Sequence, residues 1–229
     1  LKRPTLIAIA LIASLAAALL LALSLGSESV SFTNMTEQER AIIFDLRMPR
    51  VLLAAAVGAS LALAGASLQA LLRNPLAEPY LLGVSNGAAL GTLAAFVLFE
   101  GVAWARPVLS FAGASAATLA VYRMAKSRAG MNVERLVLSG VIVTTFLSSV
   151  IVLLTSLLDA ARLRGYMFWL LGDLSQATWD GFYLTLAAST AGLIVLGSRS
   201  RALNLMMIGE RDAFDFGVEV DRVRMIVFG

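Results

Sequence analysis

The chain has 229 residues, of which 59% are apolar and only 14% charged; it contains no His and no Cys and carries a net charge of +3. Soluble domains run nearer to about half apolar and about a quarter charged, so this is a chain solvated by lipid, in line with its mean hydropathy of +0.84. The missing His and Cys exclude Ser-His and Cys-His nucleophilic centres, imidazole or thiolate metal sites and disulfides.

A bilayer core of about 30 Å needs roughly 20 apolar residues per helix. Six nearly uncharged runs meet that length or approach it, at 5–25, 51–72, 80–99, 108–124, 136–158 and 182–197, and a seventh begins at Met225. The first run follows Lys2 and Arg3 but is too long for the apolar stretch of a signal peptide, so it predicts a retained helix. An inside N-terminus places Lys2, Arg3, Arg73, Arg123, Lys126, Arg128, Arg135, Arg199, Arg201, Arg211, Arg222 and Arg224 on the cytoplasmic side. Only Arg40, Arg47, Arg50, Arg106, Arg162 and Arg164 are then outside. That asymmetry predicts an N-terminus inside, and it makes the positive charge a topology signal that implies no nucleic-acid partner.

Small residues mark the helices, in Gly58-Ala59-Ser60-Leu61-Ala62 and at Gly83, Gly87 and Gly91. A spacing of four puts them on one face, where backbones can approach closely. The polar segment 26–48 predicts a short surface helix near 37–44. The stretch 166–171 is too short to cross, and predicts a re-entrant or interfacial helix with Tyr166 and Trp169 at headgroup depth. No separate soluble domain is visible, so residues 1–229 are expected to form one all-α transmembrane bundle.

Three features rise above composition. The first is Arg47-Met48-Pro49-Arg50, where Pro49 suits the first turn of the second span. Two arginines there would face the positive end of the helix dipole, so either lipid phosphates or an external acidic partner should favour them. The second is Arg73-Asn74-Pro75-Leu76-Ala77-Glu78-Pro79, followed by Leu82-Gly83-Val84-Ser85-Asn86-Gly87. Its prolines end the helix, and polar Ser85 and Asn86 suggest a helix lining a pathway or, equally, an Asn satisfied by neighbouring backbone. The third is the inside segment 198–224, where apolar Leu203, Leu205, Met206, Met207 and Ile208 precede Gly209-Glu210-Arg211-Asp212-Ala213-Phe214-Asp215-Phe216-Gly217. Two short helices hinged at Gly209 and stopped at Gly217 are predicted. A partner protein or the bilayer surface would cover their apolar side, and Glu210, Asp212 and Asp215 disfavour an anionic leaflet.

Together these motifs, with Gly58-Ala-Ser-Leu-Ala-Leu-Ala-Gly65, Gln69 and Trp169-Leu-Leu-Gly172, resemble the permease subunit of type II ABC importers, which take up iron-siderophores, haem and cobalamin. The resemblance implies a ten-helix permease, of which this sequence would hold six helices and the start of a seventh. It also implies a second permease copy, cytoplasmic ABC ATPase subunits and an extracytoplasmic substrate-binding protein, in a multi-pass protein of the bacterial cytoplasmic (inner) membrane. By the same resemblance, Arg47 and Arg50 dock the binding protein. Gly209, Glu210, Arg211, Asp212, Ala213, Phe214, Phe216 and Gly217, within the coupling segment 198–224, engage the ATPase. Gln69, Asn74, Pro75, Ser85, Asn86 and Gly87 belong to the translocation path or dimer contact. No metal, cofactor or catalytic residue is implied, and iron-siderophore is the first expected substrate, with haem or cobalamin behind it.

Rival classes fit less well. The sequence has no G-x-x-x-x-G-K nucleotide motif, so any ATPase must be a separate subunit. An intramembrane enzyme lacks a general base or metal centre within the spans. An ion-coupled secondary transporter predicts ionisable residues at mid-membrane, which the spans do not hold.

Overall fold

The computed structural model describes residues 3–26, 35–102, 104–127, 130–131 and 133–228. In chain order it forms α1 (Arg3–Ser24), α2 (Glu37–Ala41), a π-helical segment (Ile42–Arg47), α3 (Met48–Leu72), a 3-10 turn (Pro79–Leu82), α4 (Val84–Leu98) and α5 (Ala105–Ala125). A two-residue antiparallel pairing follows, β1 (Lys126–Ser127) with β2 (Gly130–Met131). The remainder is α6 (Val133–Ser156), α7 (Ala160–Leu171), α8 (Trp179–Ser198), α9 (Ser200–Ile208), α10 (Glu210–Asp215) and α11 (Val220–Phe228). Among the described residues five helices are long and apolar enough to cross a membrane: α1, the run Glu37–Leu72, α5, α6 and α8. The chain divides into two compact units, Leu1–Ser60 with Leu174–Gly192, and Leu61–Asp173 with Leu193–Gly229.

In the first unit the expected short surface helix is instead continuous with the second span. Its true N-terminus is a capping box in which Thr36 Oγ1 accepts the Glu39 N–H while the Glu39 carboxylate accepts the Thr36 N–H at 2.8 Å. Pro49 therefore lies inside a helix, not in its first turn. A proline ring crowds the carbonyl four residues back and offers no N–H, and the π segment is where the helix adapts. The Met48 N–H reaches back five residues to the Ile43 carbonyl. In that register the Phe44 carbonyl faces position 49, where no N–H exists, and the Trp179 indole Nε1–H fills the gap at 3.0 Å.

Trp179→Phe is expected to remove about 1–2 kcal/mol of stability by orphaning that carbonyl. In a Pro49→Ala background the hydrogen-bonding part of this loss should vanish, because position 49 regains a donor. Denaturant unfolding of the four proteins closes the cycle, and fully additive losses would refute the assignment.

In the second unit the expected span 80–99 is broken. Gly83 takes a left-handed conformation, φ +73°, between the 3-10 turn and α4. The 15 residues of α4 rise about 22 Å, less than a bilayer core. The α4 helix packs closely along α5 through glycines. A Cβ on Gly91 would lie 2.0 Å from the Leu109 carbonyl oxygen, and one on Gly113 would lie 2.1 Å from that of Gly87. The four-residue spacing is thus realised at Gly87 and Gly91, while Gly58 and Gly65 face open space.

Helix α7 starts well before the expected 166–171. The Asp159 carboxylate caps it, accepting the N–H groups of Ala161 and Arg162 at 3.0 Å each. These bonds, that of Arg162 foremost, hold its carboxyl below the usual range. Tyr166, expected at headgroup depth, is fully buried; its hydroxyl donates to the Ala89 carbonyl at 3.3 Å, and its ring stacks on Trp169 and meets the edge of Phe96. The main buried cluster joins Leu71 and Leu72 of α3, Val121 and Ala125 of α5, Leu136 of α6, and Leu203, Met206, Ala213, Val223 and Phe228 of α9–α11. The core thus gathers where the segment 198–224 folds against the helix ends.

Candidate functional site

Arg47 ends the π segment and Arg50 lies just beyond it in α3, both within the first unit. The Arg47 guanidinium donates through Nη1 to the carbonyls of Leu23 at 3.0 Å and Ser24 at 3.3 Å, the last turn of α1. A cation at a helix C-terminus is favoured by the dipole. The unfavourable N-terminal setting expected from Pro49 therefore does not arise. Arg50, which is exposed, donates through Nε and Nη2 to the carbonyls of Leu174 and Ser175, each at 3.1 Å. Both arginines thus hold backbone segments of the first unit.

The hinge predicted at Gly209 is present, between α9 and α10. Gly217, at φ +79°, ends α10 with the Val218 N–H on the Ala213 carbonyl and its own N–H on that of Phe214, both 2.9 Å. That pairing is the hydrogen-bond pattern of a left-handed helix stop, for which glycine carries no Cβ penalty. One side of α9–α10 is embedded through Met206 and Ala213. The other leaves Ile208, Phe214 and Phe216 more than 70% exposed. Glu210 accepts from Arg73 at 3.1 Å and from Arg224, whose side chain is only 4% exposed. Arg211 and Asp212 are both exposed on α10; the Asp212 carboxylate lies beside Gly209, 2.7 Å from where a Cβ would sit.

The expected path residues separate into four groups. Gln69 and Ser85 line one cleft of about 480 Å³ together with Glu78 and Tyr80. Asn74 and Pro75 form the turn after α3, where Asn74 Oδ1 accepts the Leu76 N–H at 2.9 Å. Asn86 ties α4 to α6, its Nδ2 donating to the Thr144 carbonyl at 2.9 Å and to Ser148 Oγ at 2.7 Å. Gly87 is buried against Gly113 of α5. Sequence reasoning missed Arg73 and Arg224 as partners of Glu210. The available signals were an arginine directly after the last turn of α3 and an arginine immediately before the apolar run at Met225.

A profile of the FecCD transport family matches residues 11–229. The chain belongs to that family. FecCD relatives include the cobalamin import system permease protein BtuC of Halobacterium salinarum, 38% identical over 197 residues that make up 85% of this chain and 52% of that protein. The ABC transporter permease protein YvrB of Bacillus subtilis is 40% identical over 89% of this chain and 57% of its own length. The vitamin B12 import system permease protein BtuC of Escherichia coli is 36% identical, over 88% and 62%. This FecCD chain therefore spans between about half and three fifths of the length of these relatives. A solved structure described as an inward-facing conformation of a metal-chelate type ABC transporter superposes with a TM-score of 0.86 at 28% identity, covering 97% of this chain and 71% of that one. The all-α membrane permease fold expected from the sequence is thereby established for the FecCD chain.

Proposed function

We propose that this chain is permease material of an ATP-driven importer for a bulky metal chelate of the cobalamin kind, with its N-terminus in the cytoplasm. The relatives named for cobalamin and vitamin B12 move the preferred substrate from iron-siderophore to cobalamin. The observation that carries the reading is the two-sided segment α9–α10. One side is built into the protein core, while Ile208, Phe214 and Phe216 stand open beside acidic and basic neighbours. In an aqueous compartment such a surface needs a partner, and separate ATPase subunits are the partner that an importer requires. With the N-terminus inside, α9–α10 is cytoplasmic and Arg47 and Arg50 meet the external binding protein. The cleft at Gln69 and Ser85 is the polar stretch of the path, and a second permease copy completes the transporter.

Phe214→Ser with Phe216→Ser tests the reading. Two exposed aromatic anchors are expected to contribute about 2 kcal/mol or more each at a protein contact, so ATPase recovered with the full permease should fall more than about tenfold. Retention of the ATPase at wild-type levels would refute the coupling surface. In proteoliposomes holding the full permease, its ATPase and a binding protein, labelled cobalamin should accumulate with ATP and be outcompeted by unlabelled cobalamin; accumulation of a ferric siderophore alone would return the substrate to the iron class.

A further inference from the structure

Arg73 occupies a backbone position that suits glycine. It has φ +49°, and no other non-glycine residue among the described residues has a positive φ. The Asn74 N–H bonds the Gln69 carbonyl at 3.1 Å and the Arg73 N–H bonds that of Ala70 at 3.4 Å. This is the same helix stop that Gly217 makes at the end of α10. A side chain in that conformation is disfavoured, so an arginine there needs another source of support. Its guanidinium supplies one by reaching Glu210, the first residue of α10, at 3.1 Å. Glu210 Oε1 accepts at the same time from the buried Arg224 of α11, which also lies 3.7 Å from Asp221. Two cations, one from the end of α3 and one from α11, thus converge on one carboxylate oxygen at the hinge of α9–α10.

We propose that Arg73 is a positioning residue: with Arg224 it clamps Glu210, so that displacement of α9–α10 is delivered to the end of α3 instead of being absorbed at the Gly209 hinge. This rests on the reading of α9–α10 as the ATPase-contacting segment. Without the clamp, the motor still binds and still hydrolyses ATP, but its movement reaches α3 weakly.

The test uses the full permease with its ATPase and binding protein in proteoliposomes, reading recovered ATPase, basal hydrolysis, melting temperature and substrate taken up per ATP. Arg73→Gly relaxes the backbone while removing the cation. Recovered ATPase, basal hydrolysis and melting temperature should hold, while uptake per ATP falls about tenfold. Arg73→Lys, which keeps a point charge, should restore most of it. Over Glu210→Gln, Arg73→Gly should add less than about a further twofold, since the pair acts as one unit. Wild-type uptake per ATP in Arg73→Gly, or losses that multiply in the double variant, would overturn the clamp. Failure of the unmutated permease to retain any ATPase would instead overturn the coupling reading itself.

Discussion

Gly91→Ala is expected to be the most destabilising single methyl that can be added to α4. The new Cβ would sit 2.0 Å from the Leu109 carbonyl oxygen and 2.7 Å from its carbonyl carbon. Those atoms are backbone, held by the ladder of α5, so no rotamer change relieves the overlap. The two helices must separate, and the neighbouring close approach of Gly87 to Gly113 is lost with it. Overpacking of this kind costs about 3 kcal/mol, against a total stability of about 5–15 kcal/mol for ordinary domains. Gly58→Ala and Gly65→Ala supply the control. Both face open space within helix α3, where alanine gains up to about 1 kcal/mol of helix propensity. Unfolding in detergent should rank Gly91→Ala far below wild type and the two α3 variants at or above it. Equal behaviour of all three would mean that α4 and α5 do not meet through their glycines.

With Arg50 in its proposed docking role, reversal to Glu is expected to weaken binding-protein docking by roughly 100-fold at low salt, the scale of about 3 kcal/mol that follows loss of one member of a charge pair at an interface. Arg47→Glu should do at least as much, with a separate structural loss. It places a carboxylate against the Leu23 and Ser24 carbonyls that Arg47 now serves, at the negative end of the α1 dipole. Arg50→Glu also gives up the Leu174 and Ser175 carbonyls, but from an exposed position and away from a helix C-terminus, so it is the cleaner probe of docking and Arg47→Glu the more damaging change. ATPase recovery should be untouched in both, because α9–α10 is built on the core of the second unit. Docking of unchanged affinity in Arg50→Glu would remove Arg50 from the interface.

The legible part of the fold was the part written in local pattern. Long apolar runs located five of the crossing helices, the spacing of Gly87 and Gly91 announced the contact with α5, and Gly209 and Gly217 punctuated α9 and α10 where they were expected to. The illegible part depended on how the backbone resolves a conflict. Pro49 looked like a helix start because a proline is tolerated there; the π segment found another solution, which needs a donor 130 residues away in sequence at Trp179. Gly83 looked like one more packing glycine, and only its left-handed φ reveals that it separates the 3-10 turn from α4. Tyr166 was read from its aromatic character alone, and its partner, a carbonyl of α4, lies 77 residues away in sequence. The ion cluster at Glu210 joins residues 137 and 14 positions apart, beyond any helical periodicity. Among the expected site residues, Arg47 and Arg50 bind backbone carbonyls and Phe214 and Phe216 stand exposed at α10, whereas the residues assigned to the path lie in several separate places.

The indole that completes the π segment has an optical consequence. The chain contains three tryptophans, and only Trp179 gives its N–H to the carbonyl that Pro49 leaves vacant, with Tyr183 stacked on it at 5.8 Å and Phe182 at its edge. With Trp104 and Trp169 replaced by Phe, its emission becomes a built-in gauge of whether that stretch of helix is intact. A ligand or protein that pulls on Arg47 or Arg50 would then announce itself as a change in colour, with no label attached.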